Sequence, residues 1–391
     1  MPAERSNHKQ YQVMIVAGEA SGDLHGSNLI KAVESHYPSL SFSGVGGDKM
    51  NSAGCEILFP SEELSVMGVQ EVFGRLPVIL RRFKELKNVL RSVARPDLLV
   101  LIDFPDFNLR LAKVAKDNHV PVLYYISPKV WAWRRGRAKI IAERVDRLAL
   151  IFPFETKIYE PLGVQVEYVG NPLLDEFSAN QPQGYLRDKL GIGKNEQVVG
   201  LFPGSRNSEL KYILECLIAT ARLLQQEKPA LKFLVPVAPS LSSSELRERF
   251  AKEKLTVFLV EDNIYEVTVA CDAVLTVSGT VTLQLALTGT PMAIVYKVAP
   301  LSYAIGKRLI KIEHAGLTNI VAEREIVREF IQDAAQPESM CREMVRLLDD
   351  DEYKKRMRED LADVCLRLGA PGCSQRVAKI AFEMCLAGYE E

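Results

Sequence analysis

Two acidic clusters carry the residue types best suited to proton transfer and ligand binding. The stretch Leu99-Val-Leu-Ile-Asp103-Phe-Pro-Asp106-Phe-Asn108 ends an apolar run with two carboxylates and an amide. A carboxylate at the rim of a partly dry cleft has its pKa raised towards neutrality and can take a proton from a substrate hydroxyl. Asp103 suits that task better, as the first polar residue after the run, whereas Asp106 follows Pro105 and suits a turn. The alternative is that both cap a helix starting at Asn108. The second cluster, Gly18-Glu19-Ala-Ser21-Gly-Asp23, directly follows another apolar run, Val13 to Ala17. Glycines there let the backbone approach a ligand, and the following helix offers unpaired N–H groups to an anion. Glu19 joins Asp103 as a catalytic candidate, with Ser21, Asp23, Asp106 and Asn108 as binding candidates. A helix cap at Ser21 or Asp23 is the plainer reading, but it accounts for one polar residue of the three.

Three further segments have the same placement. Ser127-Pro-Lys129-Val-Trp131-Ala-Trp-Arg-Arg-Gly136 sets both tryptophans of the chain among cations. Lys129 and Trp131 suit phosphate contact and stacking; a surface-packed tryptophan pair beside a solvated basic helix start is the alternative. Leu201-Phe-Pro-Gly204-Ser205-Arg206 ends a strand before a helix. Arg206 has the fork geometry to neutralise a departing diphosphate, unless it is a buried structural arginine. Ser278-Gly279-Thr280-Val-Thr282-Leu-Gln284 repeats the device of glycine, hydroxyls and helix start, and suits a phosphate or a ribose.

The elements that must position these residues follow from hydrophobic periodicity. Val13 to Ala17, Leu98 to Ile102, Val122 to Ile126 and Leu148 to Ile151 are apolar on both faces, as central parallel strands are, and amphipathic segments alternate with them. The rhythm lapses at Asn180-Gln-Pro-Gln-Gly184 and restarts with Val198 to Phe202, a helix near Leu210 to Glu227, and strands at Leu231 to Val237 and Ala273 to Val277. The pattern predicts an α/β protein with two Rossmann-like domains, at 1–172 and 173–340, followed by amphipathic helices over 341–391 that pack in cis or in trans. A chain of 391 residues exceeds one comfortable core.

Composition excludes several classes. Lys and Arg number 49 against 50 Asp and Glu, so no whole-molecule field draws nucleic acid. Seven scattered cysteines and five isolated histidines form no metal-ligand pattern, so no metal or cofactor is expected. Asp349 to Asp351 matches D-x-D by letters but lies in a polar helical region and reads as solvated charge. No export signal or spanning run is evident. The segment from Val66 to Leu80 joins Val66, Met67, Val69, Val72, Phe73 and Leu76 to Arg75, Arg81, Arg82, Lys84 and Lys87. That mixture suits an interfacial membrane helix; an ordinary core-facing helix is the alternative.

Together the motifs G-E-A-S-G-D, S-V-M-G-V-Q-E-V, D-F-P-D-F-N, S-P-K-V-W-A-W-R, P-G-S-R-x-x-E and S-G-T-x-T-L resemble those of the lipid-A-disaccharide synthases, in the same order from about residue 12 to 340. The resemblance implies a GT-B fold, two Rossmann-like domains with parallel sheets facing a central cleft. It also implies an inverting transfer of 2,3-diacylglucosamine from UDP to 2,3-diacylglucosamine 1-phosphate, releasing UDP and a β-1,6-linked disaccharide. Asp103 would then be the general base on the acceptor's 6-hydroxyl, Arg206 would face the UDP phosphates, and Asn319 would fall on a motif near the nucleotide. Gln284 departs from the pattern, because the family often has glutamate there to hold ribose hydroxyls; altered affinity is the expected result. Work at the cytoplasmic face of an inner membrane and a homodimer are implied as well. The alternatives are another GT-B UDP-sugar enzyme, such as an epimerase or a muropeptide glycosyltransferase, or a non-catalytic nucleotide-sugar binding protein.

Overall fold

The computed structural model describes residues 9–64, 69–133, 136–205, 207–238, 241–253, 255–299, 303 and 313–388, with backbone alone at 69–74 and 207–209. The chain divides into two compact units, Met1–Pro172 with Ala370–Glu391, and Leu173–Gly369.

The first unit is built on seven strands: β1 (Tyr11–Ala17), β2 (Leu40–Gly46), β3 (Glu56–Pro60), β4 (Leu98–Ile102), β5 (Val122–Tyr125), β6 (Arg147–Leu150) and β7 (Gln165–Tyr168). All pair in parallel, in the order β3-β2-β1-β4-β5-β6-β7. Alternation along β1 divides the core: Val13, Ile15 and Ala17 pack on one face, Met14 and Val16 on the other. Helices cover both faces, among them α1 (Ala20–His36), α2 (Val69–Arg91) and α3 (Pro105–Asp117). Such burial on both faces explains why the central strands read as unbroken apolar runs.

The second unit repeats the plan with β8 (Val198–Phe202), β9 (Lys232–Pro236), β10 (Val257–Val260), β11 (Ala273–Val277), β12 (Met292–Tyr296) and β13 (Glu329–Ile331). These six strands are again all parallel, in the order β10-β9-β8-β11-β12-β13. The helices that matter for its crest are α4 (Asn207–Glu227), α5 (Val281–Leu287) and α6 (Leu317–Ala322). Two Rossmann-like α/β units of this kind make a GT-B fold.

The last helix, α7 (Cys373–Ala387), begins after Gly372, whose φ of 98° suits glycine, and belongs to the first unit. Its Val377, Ile380, Ala381 and Met384 enter the same core cluster as Leu29, Ile30 and Val33 of α1. Phe382 stacks on Tyr37 with ring centroids 4.6 Å apart, and Arg147 Nη1 pairs with Glu383 at 2.9 Å. The segment 341–391 is therefore split: helices Pro337–Asp349 and Asp351–Arg367 stay with the second unit and α7 packs on the first.

Candidate active site

In the first unit the register aligns Ala17 of β1 with Ile102 of β4, and Ile102 with Tyr125 of β5. The residues that follow, Gly18, Asp103 and Ile126, therefore stand side by side at the carboxyl crest of the sheet, where open parallel sheets bind ligands. The crest is strained. Asp103 (φ 43°), Phe104 (φ 48°) and Ile126 (φ 63°) are all left-handed non-glycine residues, each costing about 1–3 kcal/mol. Three hydrogen bonds hold the Asp103 turn in place: Asn108 Nδ2 donates to Ile102 O (3.2 Å) and to Asp103 O (2.8 Å), and Tyr124 OH donates to Asp103 O at 2.5 Å. The Phe104 ring lies so close to Gly18 that a Cβ there would come within 2.4 Å of it. Gly18 is required by this contact between neighbouring loops.

The Asp103 side chain is half-buried. Burial raises its pKa, and the Glu19 carboxylate pushes in the same direction. Lys129 and the Phe104 N–H partly oppose them. Glu19, Ser21 and Lys129 are exposed and free to meet a ligand, whereas Trp131 is 8% exposed and packs edge-on against Phe152 and Phe154.

Two sequence candidates are engaged inside the protein. The Asp23 carboxylate accepts N–H bonds from Gly47 (2.7 Å), Lys49 (3.2 Å) and Met50 (3.1 Å), capping the short helix Asp48–Ser52. Neither it nor Ser21 caps its own helix: α1 starts at Ala20, with Glu19 at the cap position and no side-chain cap bond. Asn108 is fully buried beneath the Asp103 turn, so it positions rather than touches. Asp106 is exposed and pairs with Arg137; the helix it was expected to cap begins at Pro105.

In the second unit β8 and β11 are neighbours, and Phe202 aligns with Thr276, which brings Gly204 level with Ser278. Gly204 has φ 97°, a conformation that favours glycine. Ser205, Gly279 and Thr280 surround this point, and a Cβ on Gly279 would meet open space. Arg206 lies outside the described residues, as do Val66 and Met67. Ser278 Oγ donates to Ala315 O at 2.6 Å, and buried Thr282 Oγ1 returns to Gly279 O at 2.9 Å. Both hydroxyls brace the loop. Gln284 Nε2 reaches Glu176 Oε1 at 3.5 Å, so a carboxylate stands beside the position where the motif often has one.

Asn319 is fully buried and uses its whole amide: Nδ2 donates to Val327 O (2.8 Å) and Glu329 Oε1 (2.7 Å), while Oδ1 accepts from Ile326 N (2.9 Å) and Val327 N (3.0 Å). Glu329 in turn accepts Ala315 N at 2.7 Å and Gly316 N at 2.9 Å. The series Asn319, Glu329, Ala315, Ser278 ties α6 to the crest of β11. Glu329 was not singled out from the sequence, because a lone charged residue in a short edge strand carries no signal of its own.

The α2 helix contains Val69, Val72 and Phe73, whose side chains lie outside the described residues. Further along, Leu86 and Leu90 are buried, while Leu76 and Leu80, one turn apart, are 44% and 56% exposed. Arg82 forks onto Glu63 with two bonds of 2.7 Å and lies 4.7 Å from the Phe59 ring centroid, fixing the helix to the unit. Among the described residues no helix is long and apolar enough to cross a membrane, and no acidic, histidine or cysteine cluster could hold a metal ion.

Comparison with known proteins agrees with this arrangement. Two solved structures share the fold at low identity. The S. aureus MnaA–UDP co-structure has a TM-score of 0.66 and 13% identity, covering 98% of both chains. A Neisseria meningitidis UDP-GlcNAc 2-epimerase bound to UDP-GlcNAc has a TM-score of 0.61 and 12% identity, covering 96% of this chain and all of that one. Sequence likeness is much stronger to lipid-A-disaccharide synthases. That of Syntrophotalea carbinolica is 54% identical over 374 residues, 96% of this chain and 95% of the relative. That of Geobacter metallireducens is 48% identical over 373 residues, 95% and 97% of the two chains. The family description Lipid-A-disaccharide synthetase matches residues 13–380. With both strand crests inside that match, the chain belongs to the lipid-A-disaccharide synthetase family.

Proposed function

We propose that this protein transfers 2,3-diacylglucosamine from UDP to the 6-hydroxyl of 2,3-diacylglucosamine 1-phosphate with inversion, giving the disaccharide 1-phosphate and UDP. The observation that carries this reading is Asp103, a half-buried carboxylate of raised pKa held in a strained turn within a family match that spans both units. Asp103 takes the proton from the attacking hydroxyl, so that oxygen gains nucleophilicity as the bond to the anomeric carbon forms. Burial, helped by Glu19, raises the pKa of Asp103 for the task, and Lys129 limits the rise. Ser21, Asp106 and Lys129 belong to the acceptor side, with Asp23 and Asn108 positioning the turns and Trp131 packed beneath the Lys129 loop.

On the donor side, Gly204, Ser205, Gly279 and Thr280 offer backbone N–H groups and hydroxyls to the diphosphate, with Arg206 as leaving-group stabiliser. Ser278, Thr282 and Asn319 hold that surface in shape, and Gln284 with Glu176 meets the ribose. No cofactor or metal enters. The protein works at the cytoplasmic face of an inner membrane: Leu76 and Leu80 continue the apolar segment from Val66 through Phe73 and contact lipid, where both acylated substrates reside. A homodimer belongs to the same reading, checked by sedimentation equilibrium.

The test is mass spectrometry of products from UDP-2,3-diacylglucosamine and 2,3-diacylglucosamine 1-phosphate. A β-1,6-linked disaccharide 1-phosphate is expected. Conversion of UDP-N-acetylglucosamine alone, with the acylated pair ignored, would overturn the proposal in favour of an epimerase. Likeness to the Neisseria meningitidis epimerase structure at 12% identity concerns the fold alone and does not favour that outcome.

A further inference from the structure

Beside the Asp103 crest stands a carboxyl that none of these roles uses. After β6 the chain makes a tight turn, Pro153–Glu155, and the Glu155 side chain folds beneath it, 1% exposed. Its Oε2 accepts the Phe152 N–H at 3.2 Å, and its own N–H donates to Phe152 O at 3.1 Å. The Trp131 ring stands edge-on to Phe152 and Phe154 at 6.5 and 5.4 Å, and those two rings stack on each other. Trp131 Nε1 is buried with no well-aligned partner among the described residues, yet it is near enough to the Glu155 carboxyl to favour its ionised form. At the start of the same loop, Ser127 Oγ and Tyr159 OH share a short hydrogen bond. The loop is thus clamped at both ends by the segment 152–159, and Lys129 is the exposed residue between the clamps. Lys129 acts electrostatically on both Asp103 and Glu155.

We infer that Glu155 is a positioning residue for the transfer reaction: it fixes the Ser127–Trp131 loop so that the Lys129 ammonium stands beside Asp103. This rests on the reading of Asp103 as general base. A neutral carboxyl fits the apolar nest of Trp131, Phe152 and Phe154, and burial pushes Glu155 up to about 8 against the pull of the Phe152 and Ile151 N–H groups, Trp131 and Lys129. The other titratable groups facing it, Tyr159 and Tyr168, are themselves raised by burial and stay neutral in that range. Once ionised, Glu155 is a buried charge, relieved by drawing the Trp131 N–H and the Lys129 ammonium inwards, away from Asp103. Withdrawn from the acceptor side, Lys129 no longer holds the acceptor hydroxyl against Asp103, and turnover falls as pH passes about 8.

Of the chain's two tryptophans, Trp131 ends this loop and Trp133 lies two residues beyond it, so intrinsic fluorescence reports on the loop. The experiment titrates fluorescence and kcat of the wild-type protein, E155Q and E155A between pH 6 and 10. The expected results are a fluorescence step near pH 8 in the wild type, lost in E155Q, and an alkaline fall in kcat shared by the wild type alone. E155A should lower kcat at pH 7 roughly tenfold with KM little changed, and E155Q should restore it. A wild-type protein without the step, or an E155Q protein with the same step and the same alkaline fall, overturns the inference. Should E155Q not fold, the wild-type fluorescence titration still decides. Absence of disaccharide product from the wild type at every pH would instead sink the reading of the reaction, a result distinct from any change in the fluorescence step.

Discussion

At the crest of the first sheet the strands pass into Gly18, Asp103–Phe104 and Ile126, with three non-glycine residues at positive φ and a carboxyl whose pKa is raised. At the crest of the second, β8 and β11 pass into Gly204 and Ser278–Gly279, where the left-handed position belongs to glycine and the buried polar groups are braced by one another. On the proposed function, the difference follows from what each crest is asked to do. Moving a proton needs a carboxylate held where water cannot level its pKa, and burial with local strain supplies that. Holding a diphosphate needs backbone N–H groups at close range, which glycine and small hydroxyl residues supply without titratable groups.

This contrast can be broken in order of effect. D103N should lower kcat by about 10³-fold, within the range of lost general-base catalysis, with UDP affinity by calorimetry unchanged. If UDP binding falls in step, the division of labour between the units is wrong. N319A should instead act on the fold of the second unit: four hydrogen bonds are lost and the Glu329 carboxylate loses a donor, which costs about 3 kcal/mol in urea unfolding. A variant of unchanged stability with weaker UDP binding would make Asn319 a ligand residue.

Two buried groups should give the first unit opposing pH dependences of stability, His25 and Glu155. Burial, helped by Lys49, lowers His25 to about 4 from 6.5, so the unfolded chain binds the extra proton more readily. The His25 contribution is fully present above about 6.5 and is lost as pH falls towards 4, by on the order of 3 kcal/mol, whereas the Glu155 contribution is fully present below about 4.5 and is lost as pH rises towards 8, so the two nearly offset each other between pH 4.5 and 7. H25F should therefore uncover the Glu155 slope, with lower stability at pH 7 than at pH 4.5 in unfolding curves; a variant with the wild-type slope would locate the effect elsewhere. The smallest effect expected is on lipid. L76S together with L80S should reduce sedimentation with anionic vesicles a fewfold, with stability unaltered because both side chains are exposed; full sedimentation would remove α2 from the membrane reading.

Legibility in the sequence followed burial. Leu98–Ile102, Val198–Phe202 and Ala273–Val277 lie where the apolar runs predict them, since central strands are apolar on both faces. β2, β3, β7, β10, β12 and β13 are not among the predicted strands: Leu40–Gly46 mixes serines and glycines with its apolar residues, the edge strands Glu56–Pro60, Gln165–Tyr168, Val257–Val260 and Glu329–Ile331 are short and half-solvated, and Met292–Tyr296 is the one buried run that the pattern does not single out. Asp103 was legible because its position after a strand fixes its place on the crest. Asp23 and Asn319 look like binding residues by letter, yet each satisfies backbone groups on another segment, Asp23 at residues 47–50 and Asn319 at 326–327. No local pattern reveals partners at such separations. Glu155 escaped notice for the same reason, since a carboxyl after Phe-Pro-Phe reads as solvated until its burial is seen.

Because α7 supplies part of the first unit's core, the order of synthesis and the order of completion differ. Residues 9–172 leave the ribosome with the apolar side of α1, including Leu29, Ile30 and Val33, still uncovered, and the covering helix follows only after the whole of Leu173–Gly369. At ordinary elongation rates that interval is on the order of tens of seconds. The second unit, continuous in sequence, can close during translation, while the unit that carries Asp103 closes last, through contacts more than 300 residues apart.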